Sequence, residues 1–295
     1  MKAVSEFSTF FLYSALWRVV RLLPESSAYS IFNWLSRRAY KKNGRRVQRL
    51  RENYQTAFPE KNSNEIEKLV RSGLANAMRY WCDTFRISDW STTRVASTVT
   101  TVNNELFVDA VKSGAGVIVA LPHAGNWDHA GLYYCSQGIT VHTVAEHLKP
   151  ERLFRKFLAH REAMGMKVLD LQANVTEELI KRLDEGELVA LVADRDLSKS
   201  GVDVEFFSAR ARMPAGPALL AYRTKAHLIT AYVSYTESGI RIAFNGPFLV
   251  RREEAEASEV RRLTQEIANR FELDIQHDPS SWHMQQRIFV EEKSN

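Results

Sequence analysis

From about residue 105 onward, the chain alternates short apolar runs with amphipathic helical segments. The clearest runs, residues 117–121 and 188–193, consist of Val, Ile, Leu and Ala. Such alternation is typical of βαβ units, in which helices connect parallel strands. It predicts an α/β fold with a central, mostly parallel mixed β-sheet covered by α-helices on both faces.

The remaining elements follow from the same periodicity. Residues 228–234 and 240–244 alternate in polarity on either side of Glu237-Ser238-Gly239, which predicts an antiparallel pair. Further strands are predicted at residues 140–145, 168–169 and 202–207, and helices at residues 108–113, 130–136, 151–164, 175–184, 257–277 and from 213–217 to about 225.

The N-terminal part, residues 5–60, is predicted as amphipathic membrane-associating helices, and another helix follows at residues 64–86. An aromatic stripe is formed by Phe10, Tyr13, Trp17 and Val20. A basic run is formed by Arg38, Lys42, Arg45, Arg46 and Arg49. Aromatic and basic faces side by side suit the headgroup layer of an anionic membrane. Alternatively, the aromatic residues pack on the main domain and the basic run is only solvated.

Length and composition indicate one large core. With 295 residues, 45% of them hydrophobic, we expect a single domain over residues 1–295. Within it, residues 1–60 form the helical membrane-associating extension and residues 61–295 the α/β catalytic core. The net charge of +5 fits a polyanionic partner such as nucleic acid, an anionic bilayer or coenzyme A. Since no nucleic-acid recognition motif is present, no nucleic-acid partner is expected.

Cysteine usage and the N-terminus limit the class further. Cys82 and Cys135 lie far apart without a metal-ligand pattern, so we expect no metal site, no disulfide framework and a reducing compartment. The apolar N-terminal stretch is interrupted by Arg18 and Arg21, and no cleavage site follows it. We therefore expect it neither to be cleaved nor to cross the bilayer.

Two apolar runs end on residues suited to acid–base chemistry. Residues 117–121 lead through Pro122 into His123, and residues 188–193 lead into Asp194. Ligands of open α/β sheets bind beyond the carboxyl ends of the strands, so His123 and Asp194 meet there if the two strands are neighbours.

The segment after His123 reads Ala124-Gly125-Asn126-Trp127-Asp128. A turn at Gly125 and a helix beginning near Asn126 would fold Asp128 toward the imidazole, or Asp128 caps the helix. The same helix start would direct backbone N–H groups at a developing oxyanion. A histidine with an ordinary pKa of about 6.5 suits proton removal from a hydroxyl, and a carboxylate on its other nitrogen fixes the tautomer.

The segment Pro122-His123-Ala124-Gly125-Asn126-Trp127-Asp128 resembles the H-x4-D/E motif of glycerolipid-type acyltransferases, in the form of the lipid A acyltransferase branch. More of the chain is similar to the actinobacterial phosphatidylinositol mannoside acyltransferases. The matching segments are residues 121–131, 143–146, 149–151, 161–162, 193–197, 201–207, 212–218 and 282–284.

The resemblance implies transfer of a fatty acyl group, usually palmitoyl, from acyl-CoA to a mannose hydroxyl of a phosphatidylinositol mannoside. It implies no acyl-enzyme, no cofactor beyond the acyl-CoA co-substrate, and a peripheral location at the cytoplasmic face of the plasma membrane. His123, Asp194 and Asp128 are the implied catalytic residues. Glu146, Arg161, Arg195, Asp196 and His283 are the substrate-binding candidates. As structural alternatives, Glu146 and Arg161 form a buried ion pair, and Arg195 and Asp196 form a packing network.

Three other functions compete with this interpretation. A related acyltransferase acting on a lipid A-like glycolipid or a lysophospholipid would use the same residues. A metallophosphoesterase would explain Gly-Asn-x-Asp beside a histidine, but it needs further His and Asp ligands on strand ends, which this chain does not supply. A non-enzymatic basic adaptor for a membrane or a nucleic acid would explain the N-terminal run and leave His123 and Asp194 unused.

Overall fold

The computed structural model describes residues 2–145, 149–170, 175–196 and 201–290, with side chains from residue 10 onward. Its centre is a seven-stranded sheet in the order β1-β9-β8-β2-β5-β3-β4. All pairings are parallel except that of β8 with β9, and β6 and β7 form a separate antiparallel hairpin. The strands are β1 (Val99–Val102), β2 (Val117–Leu121), β3 (Val141–Ala145), β4 (Lys167–Asp170), β5 (Leu188–Val192), β6 (Val202–Phe206), β7 (Ala209–Met213), β8 (His227–Tyr235) and β9 (Ile240–Asn245).

The described helices lie before, between and after these strands. They are α1 (Lys2–Leu22), α2 (Glu25–Lys42), α3 (Arg45–Ala57), α4 (Ser63–Arg86), α5 (Thr92–Ser97), α6 (Asn104–Lys112), α7 (Trp127–Cys135), α8 (Glu151–Ala163), α9 (Val175–Asp184), α10 (Gly216–Arg223) and α11 (Glu256–His277). The predicted mostly parallel mixed sheet with helices on both faces is therefore confirmed. The short elements α5 and β1 were not predicted.

Strand β2 lies in the middle of the sheet and is buried along its whole length. Ile118 and Ala120 face one hydrophobic core, whereas Val117, Val119 and Leu121 face the other. The run of apolar residues in the sequence therefore reflects a strand covered on both faces. The first core is completed mainly by α3, α9, α10 and α11, and the second by α6 and α7.

Two residues of the aromatic stripe of α1, Trp17 and Val20, pack inward, whereas Tyr13 is exposed. Trp17 and Val20 are each 3% exposed. The Trp17 indole donates a hydrogen bond to the Phe85 carbonyl at 3.0 Å, and its ring lies 5.1 Å from that of Phe157. The prediction that this stripe faces a membrane is therefore wrong for Trp17 and Val20, because α4 and α8 cover that face of the helix.

A different part of the N-terminal helices is exposed and apolar. We call it the outer apolar face, and its residues are Phe11, Leu12, Leu16, Val19 and Leu22 of α1 with Ile31, Trp34 and Leu35 of α2. Across residues 2–145, 149–170, 175–196 and 201–290, no helix is long and apolar enough to span a membrane.

Candidate active site

His123 and Asp194 follow two strands that are direct neighbours. Strands β2 and β5 pair in parallel, with Leu121 opposite Val192. His123 and Asp194 each lie two positions beyond these partners, so both reach the same edge of the sheet. This register confirms the prediction that His123 and Asp194 lie together beyond the carboxyl ends of their strands.

The two side chains form a close pair. Nδ1 of His123 lies 2.5 Å from Oδ1 of Asp194. The backbone N–H of His123 donates to Oδ2 of the same carboxylate at 3.0 Å. The Asp194 side chain is fully buried, whereas that of His123 is 35% exposed. With Nδ1 donating to the carboxylate, Nε2 keeps its lone pair available for a proton.

The surroundings of Asp194 keep its carboxyl group ionised. Burial alone would raise the pKa of Asp194, but the adjacent His123 ring and hydrogen bonds from His123 and Trp282 outweigh it. The pKa of Asp194 is therefore held below its usual value. A buried carboxylate beside Nδ1 orients the ring and stabilises an imidazolium.

The loop after His123 requires glycine at position 125. Gly125 has a φ of +57°, and a Cβ at this position would lie 2.4 Å from the carbonyl oxygen of Val233. The chain then enters α7, where the Asn126 side chain accepts a hydrogen bond from the backbone N–H of His129 at 3.0 Å. The predicted turn and helix start are confirmed, and Asn126 is the N-cap residue. The oxyanion role of this helix start stays a prediction.

Asp128 lies in a buried polar network beside the pair. Its carboxylate accepts a hydrogen bond from the Tyr80 hydroxyl at 2.9 Å and another from Nε of Arg161 at 2.8 Å. Burial lowers the pKa of Arg161, but the Asp128 carboxylate outweighs this effect and keeps the guanidinium charged. The hydrogen-bond partners of Asp128 are thus Tyr80 and Arg161 rather than His123. Of these two partners, only Arg161 was predicted as a site residue.

Replacing Asp128 by Asn is expected to lower the free energy of unfolding by about 1–3 kcal/mol, because the variant leaves the largely buried Arg161 without its counter-charge. Urea unfolding monitored by circular dichroism measures this change. The exposed Asp184→Asn variant is the control and should stay within about 0.5 kcal/mol of the wild type. Unchanged stability together with a hundredfold fall in kcat would instead assign Asp128 to the chemical step.

The C-terminal segment contacts the His123 loop. The ring of His283 bonds through Nε2 to the Gly125 carbonyl at 3.0 Å and stacks on Trp127. Burial lowers the pKa of His283 to about 4, so this ring is neutral near pH 7. His283 also lines the cavity described below.

Three further candidate residues have different positions. Arg195 lines the cavity. Asp196 lines it too, and its carboxylate lies 3.5 Å from Arg212, an arrangement that agrees with the packing alternative as well as with substrate contact. Glu146 lies outside the described residues, so its proposed pairing with Arg161 stays a prediction.

A cavity of about 1060 Å³ is lined in part by His123. Its polar part is lined by Arg46, His123, Asp128, Lys149, Arg161, Arg195, Asp196 and His283. An apolar part lies along the sheet, where the lining extends on β3 from Ala145 back to Val141, about 13 Å at ~3.3 Å per residue. Phe107 and Tyr134, whose ring centroids are 4.4 Å apart, belong to this apolar part. The site therefore joins an acid–base pair to a long apolar space.

Some site residues were not identified from the sequence. Tyr80 lies on the predicted helix α4, and Trp282 lies in a segment that matched the family, yet neither was assigned a role. Arg46 was assigned only to the surface basic run.

In the part of the chain that the structure describes, no group of three or more His, Cys, Asp or Glu side chains is placed to hold a metal ion.

The fold and site define an acyltransferase of the lipid A type. The profile of the bacterial lipid A biosynthesis acyltransferases matches residues 2–290, and the chain belongs to this family. It is 34% identical over 286 residues to the phosphatidylinositol mannoside acyltransferase of Mycolicibacterium smegmatis, covering 96% of this chain and 92% of that protein. It is also 34% identical over 289 residues to the phosphatidylinositol mannoside acyltransferase of Mycobacterium tuberculosis, covering 96% and 89%.

Proposed function

We propose that the protein transfers a fatty acyl group, most favourably palmitoyl, from acyl-CoA to a mannose hydroxyl of a phosphatidylinositol mannoside. The observation that carries the proposal is the His123–Asp194 pair, whose His123 lines a cavity with an apolar part along the sheet. The similarity to two acyltransferases with this acceptor in their names supports the choice of acceptor.

In the proposed reaction, His123 is the general base. Nε2 takes the proton of the acceptor hydroxyl while its oxygen attacks the thioester carbonyl, and Asp194 stabilises the imidazolium through Nδ1. The tetrahedral intermediate then expels the thiolate of coenzyme A, which receives the proton from Nε2. No acyl-enzyme and no cofactor take part.

The apolar part of the cavity suits the acyl chain of the donor. Alternating residues of the central strands, among them Val119, Ala190 and Ile242, line this space. Burial of methylene groups there contributes about 0.8 kcal/mol each, so a long chain binds far more tightly than a short one. The chain thereby holds the thioester carbonyl near His123.

The polar part of the cavity suits anionic substrates. Arg46, Lys149 and Arg195 line it together with Arg161, which is paired with Asp128. Phosphate groups occur both in coenzyme A and in the inositol lipid, and guanidinium groups bind phosphate through two parallel hydrogen bonds. We assign Arg161, Arg195, Asp196, His283 and Glu146 to substrate binding in this proposal.

The direct test incubates the purified protein with labelled palmitoyl-CoA and separate acceptors: phosphatidylinositol mannosides, a lysophospholipid and a lipid A-like glycolipid. We expect labelled product with the mannosylated inositol lipid, unchanged by a chelator, and none with His123→Ala. Transfer only to another acceptor would replace the proposed substrate. Transfer to none of them would overturn the proposed activity.

We further propose peripheral binding at the cytoplasmic face of the plasma membrane through the outer apolar face. The exposed fraction of Leu12 is 71% and that of Trp34 is 57%, which is high for large apolar side chains. Exposed basic residues follow in the chain, among them Arg38 of α2 and Arg45 at the start of α3, and such residues attract anionic lipid headgroups.

The double variant Leu12→Glu/Leu16→Glu is expected to bind anionic vesicles at least about tenfold more weakly, because it removes apolar burial and adds repelling charge. Vesicle sedimentation measures the partition coefficient. Leu273→Glu is the matched control, since Leu273 is also exposed but lies on α11. Equal loss in both variants would contradict the proposed membrane face.

A further inference from the structure

The Asp194 carboxylate has a third hydrogen-bond partner. The indole Nε1–H of Trp282 donates to Oδ2 of Asp194 at 3.0 Å, and both side chains are fully buried. Oδ2 thus accepts two N–H donors, one from Trp282 and one from the His123 backbone. This arrangement leaves Oδ1 directed at Nδ1 of His123.

The backbone around Trp282 holds the His123 loop as well. Residue 282 forms a β-bridge with Ala124. The neighbouring Ser281 carbonyl accepts the Gly125 N–H at 2.9 Å, and the His283 N–H donates to the His123 carbonyl at 3.2 Å. The same short segment therefore fixes the backbone of the base and the side chain of its partner.

Helix α3 anchors this segment from the other side. The Tyr54 hydroxyl donates to the Trp282 carbonyl at 2.7 Å, and the Asn53 amide donates to the Met284 carbonyl at 2.9 Å. Tyr54 is fully buried and Asn53 is 2% exposed. The backbone of this segment is consequently held by hydrogen bonds that do not involve Asp194, and the fully buried Trp282 side chain is held by packing.

We infer that Trp282 is a positioning residue of the acyl transfer, whose indole N–H locks the Asp194 carboxylate in the orientation that keeps Nε2 of His123 as the base. The inference rests on the proposed role of His123. An indole has one donor and no acceptor, and its N–H bonds more strongly to an ionised carboxylate than to a protonated carboxyl group. It acts through Asp194 and does not touch the substrate.

The sign of the effect follows from charge. The working form of the pair is a neutral imidazole beside a carboxylate, and the indole N–H stabilises its negative charge. When the pair takes up a proton, its overall charge changes from negative to neutral. The indole N–H of Trp282 then stabilises the pair less than before. Loss of the indole N–H therefore makes the pair take up a proton at higher pH.

The groups around the pair have constant charge over the relevant pH range. Burial lowers the pKa of His283 to about 4 and raises the pKa of Tyr232 well above its ordinary value, so both stay neutral. Arg161 stays charged and is paired with Asp128, and Arg195 keeps the fixed charge of an arginine. A change in titration between pH 5 and 9 therefore reports on the pair itself.

The test is Trp282→Phe, which keeps an aromatic ring and removes the N–H. We expect the acidic limb of the kcat/KM profile to move upward by about one pH unit, with a loss that approaches about tenfold on the acidic side of the limb and recovery at higher pH. KM should change less than kcat. A purely structural defect would lower activity at every pH and would not move the limb.

Trp90→Phe is the matched control. The indole nitrogen of Trp90 is also buried, and among the described residues it has no hydrogen-bond partner. Its variant should leave the position of the limb unchanged. Thermal melting of both variants checks folding.

A second readout does not depend on acyl transfer. The imidazole signals of His123, assigned among the eight histidines by their loss in His123→Ala, are titrated by NMR in the wild type and in Trp282→Phe. An upward shift of the His123 titration in Trp282→Phe supports the inference, whether or not any acceptor is acylated. Failure of acyl transfer with every acceptor would overturn only the proposed function. An unchanged titration and an unchanged acidic limb in a folded variant would overturn the inference while leaving the proposed function intact.

Discussion

Replacing His123 by alanine is expected to lower kcat/KM for acyl transfer by about 10² to 10⁴-fold. The reason is the loss of the proposed general base: His123 lines the cavity, and its Nδ1 bonds to the buried Asp194 carboxylate, so that Nε2 is the nitrogen that takes the proton. Initial rates with labelled palmitoyl-CoA, measured at several pH values, give the loss. The folded state should persist, since the His123 side chain is 35% exposed.

The control for this substitution is His277→Ala, because His277 is exposed and lies at the end of α11. That variant should keep the activity of the wild type. If His123→Ala retains more than about a tenth of the activity, general-base catalysis by this residue is excluded at the magnitude expected for it. Transfer would then proceed by another route, and the pair would have a structural role.

Asp194→Asn is expected to lower kcat by up to about 10⁴-fold, although the side chains have nearly the same shape. Oδ2 accepts hydrogen bonds from the His123 backbone and from Trp282, so the amide oxygen of the variant takes that place. The amide NH₂ group then faces Nδ1 of His123. This contact requires Nδ1 to accept and moves the ring proton to Nε2, which can no longer act as a base.

The measurement is kcat in the same assay, with binding of palmitoyl-CoA determined separately by calorimetry. Binding should change little, because the fully buried Asp194 does not contact the cavity contents directly. Asp109→Asn, at an exposed position of α6, is the control. An Asp194→Asn variant with near-normal kcat would show that the carboxylate does not set the tautomer.

The contacts divide the site into two systems with different tasks. The pair of His123 and Asp194 supplies the acid–base chemistry in the proposed reaction. The network of Tyr80, Asp128 and Arg161 lies beside it and consists of buried groups that satisfy one another. Because burial and Asp128 raise the pKa of Tyr80 well above its usual value, Tyr80 is a neutral donor. This network holds the start of α7 and places the Arg161–Asp128 ion pair against the cavity.

Much of the fold could be predicted from local periodicity. The runs at residues 117–121 and 188–193 were recognisable because a strand buried on both faces needs apolar residues at every position. Strand β1 was missed because Val99–Val102 is short, has two threonines and lies at the edge of the sheet, so it has no clear apolar pattern. Helix α5 has only six residues, too few for a helical period to emerge.

The sequence by itself determined the α/β class and the positions of His123 and Asp194 beyond the ends of two apolar runs, from which their pairing was predicted. The tertiary structure alone decided which face of α1 is buried, that Asp128 bonds Tyr80 and Arg161, and that Trp282 holds Asp194. These partners are 48, 33 and 88 positions apart along the chain. Contacts at such separations depend on how whole elements pack, and no local spacing of residues encodes them.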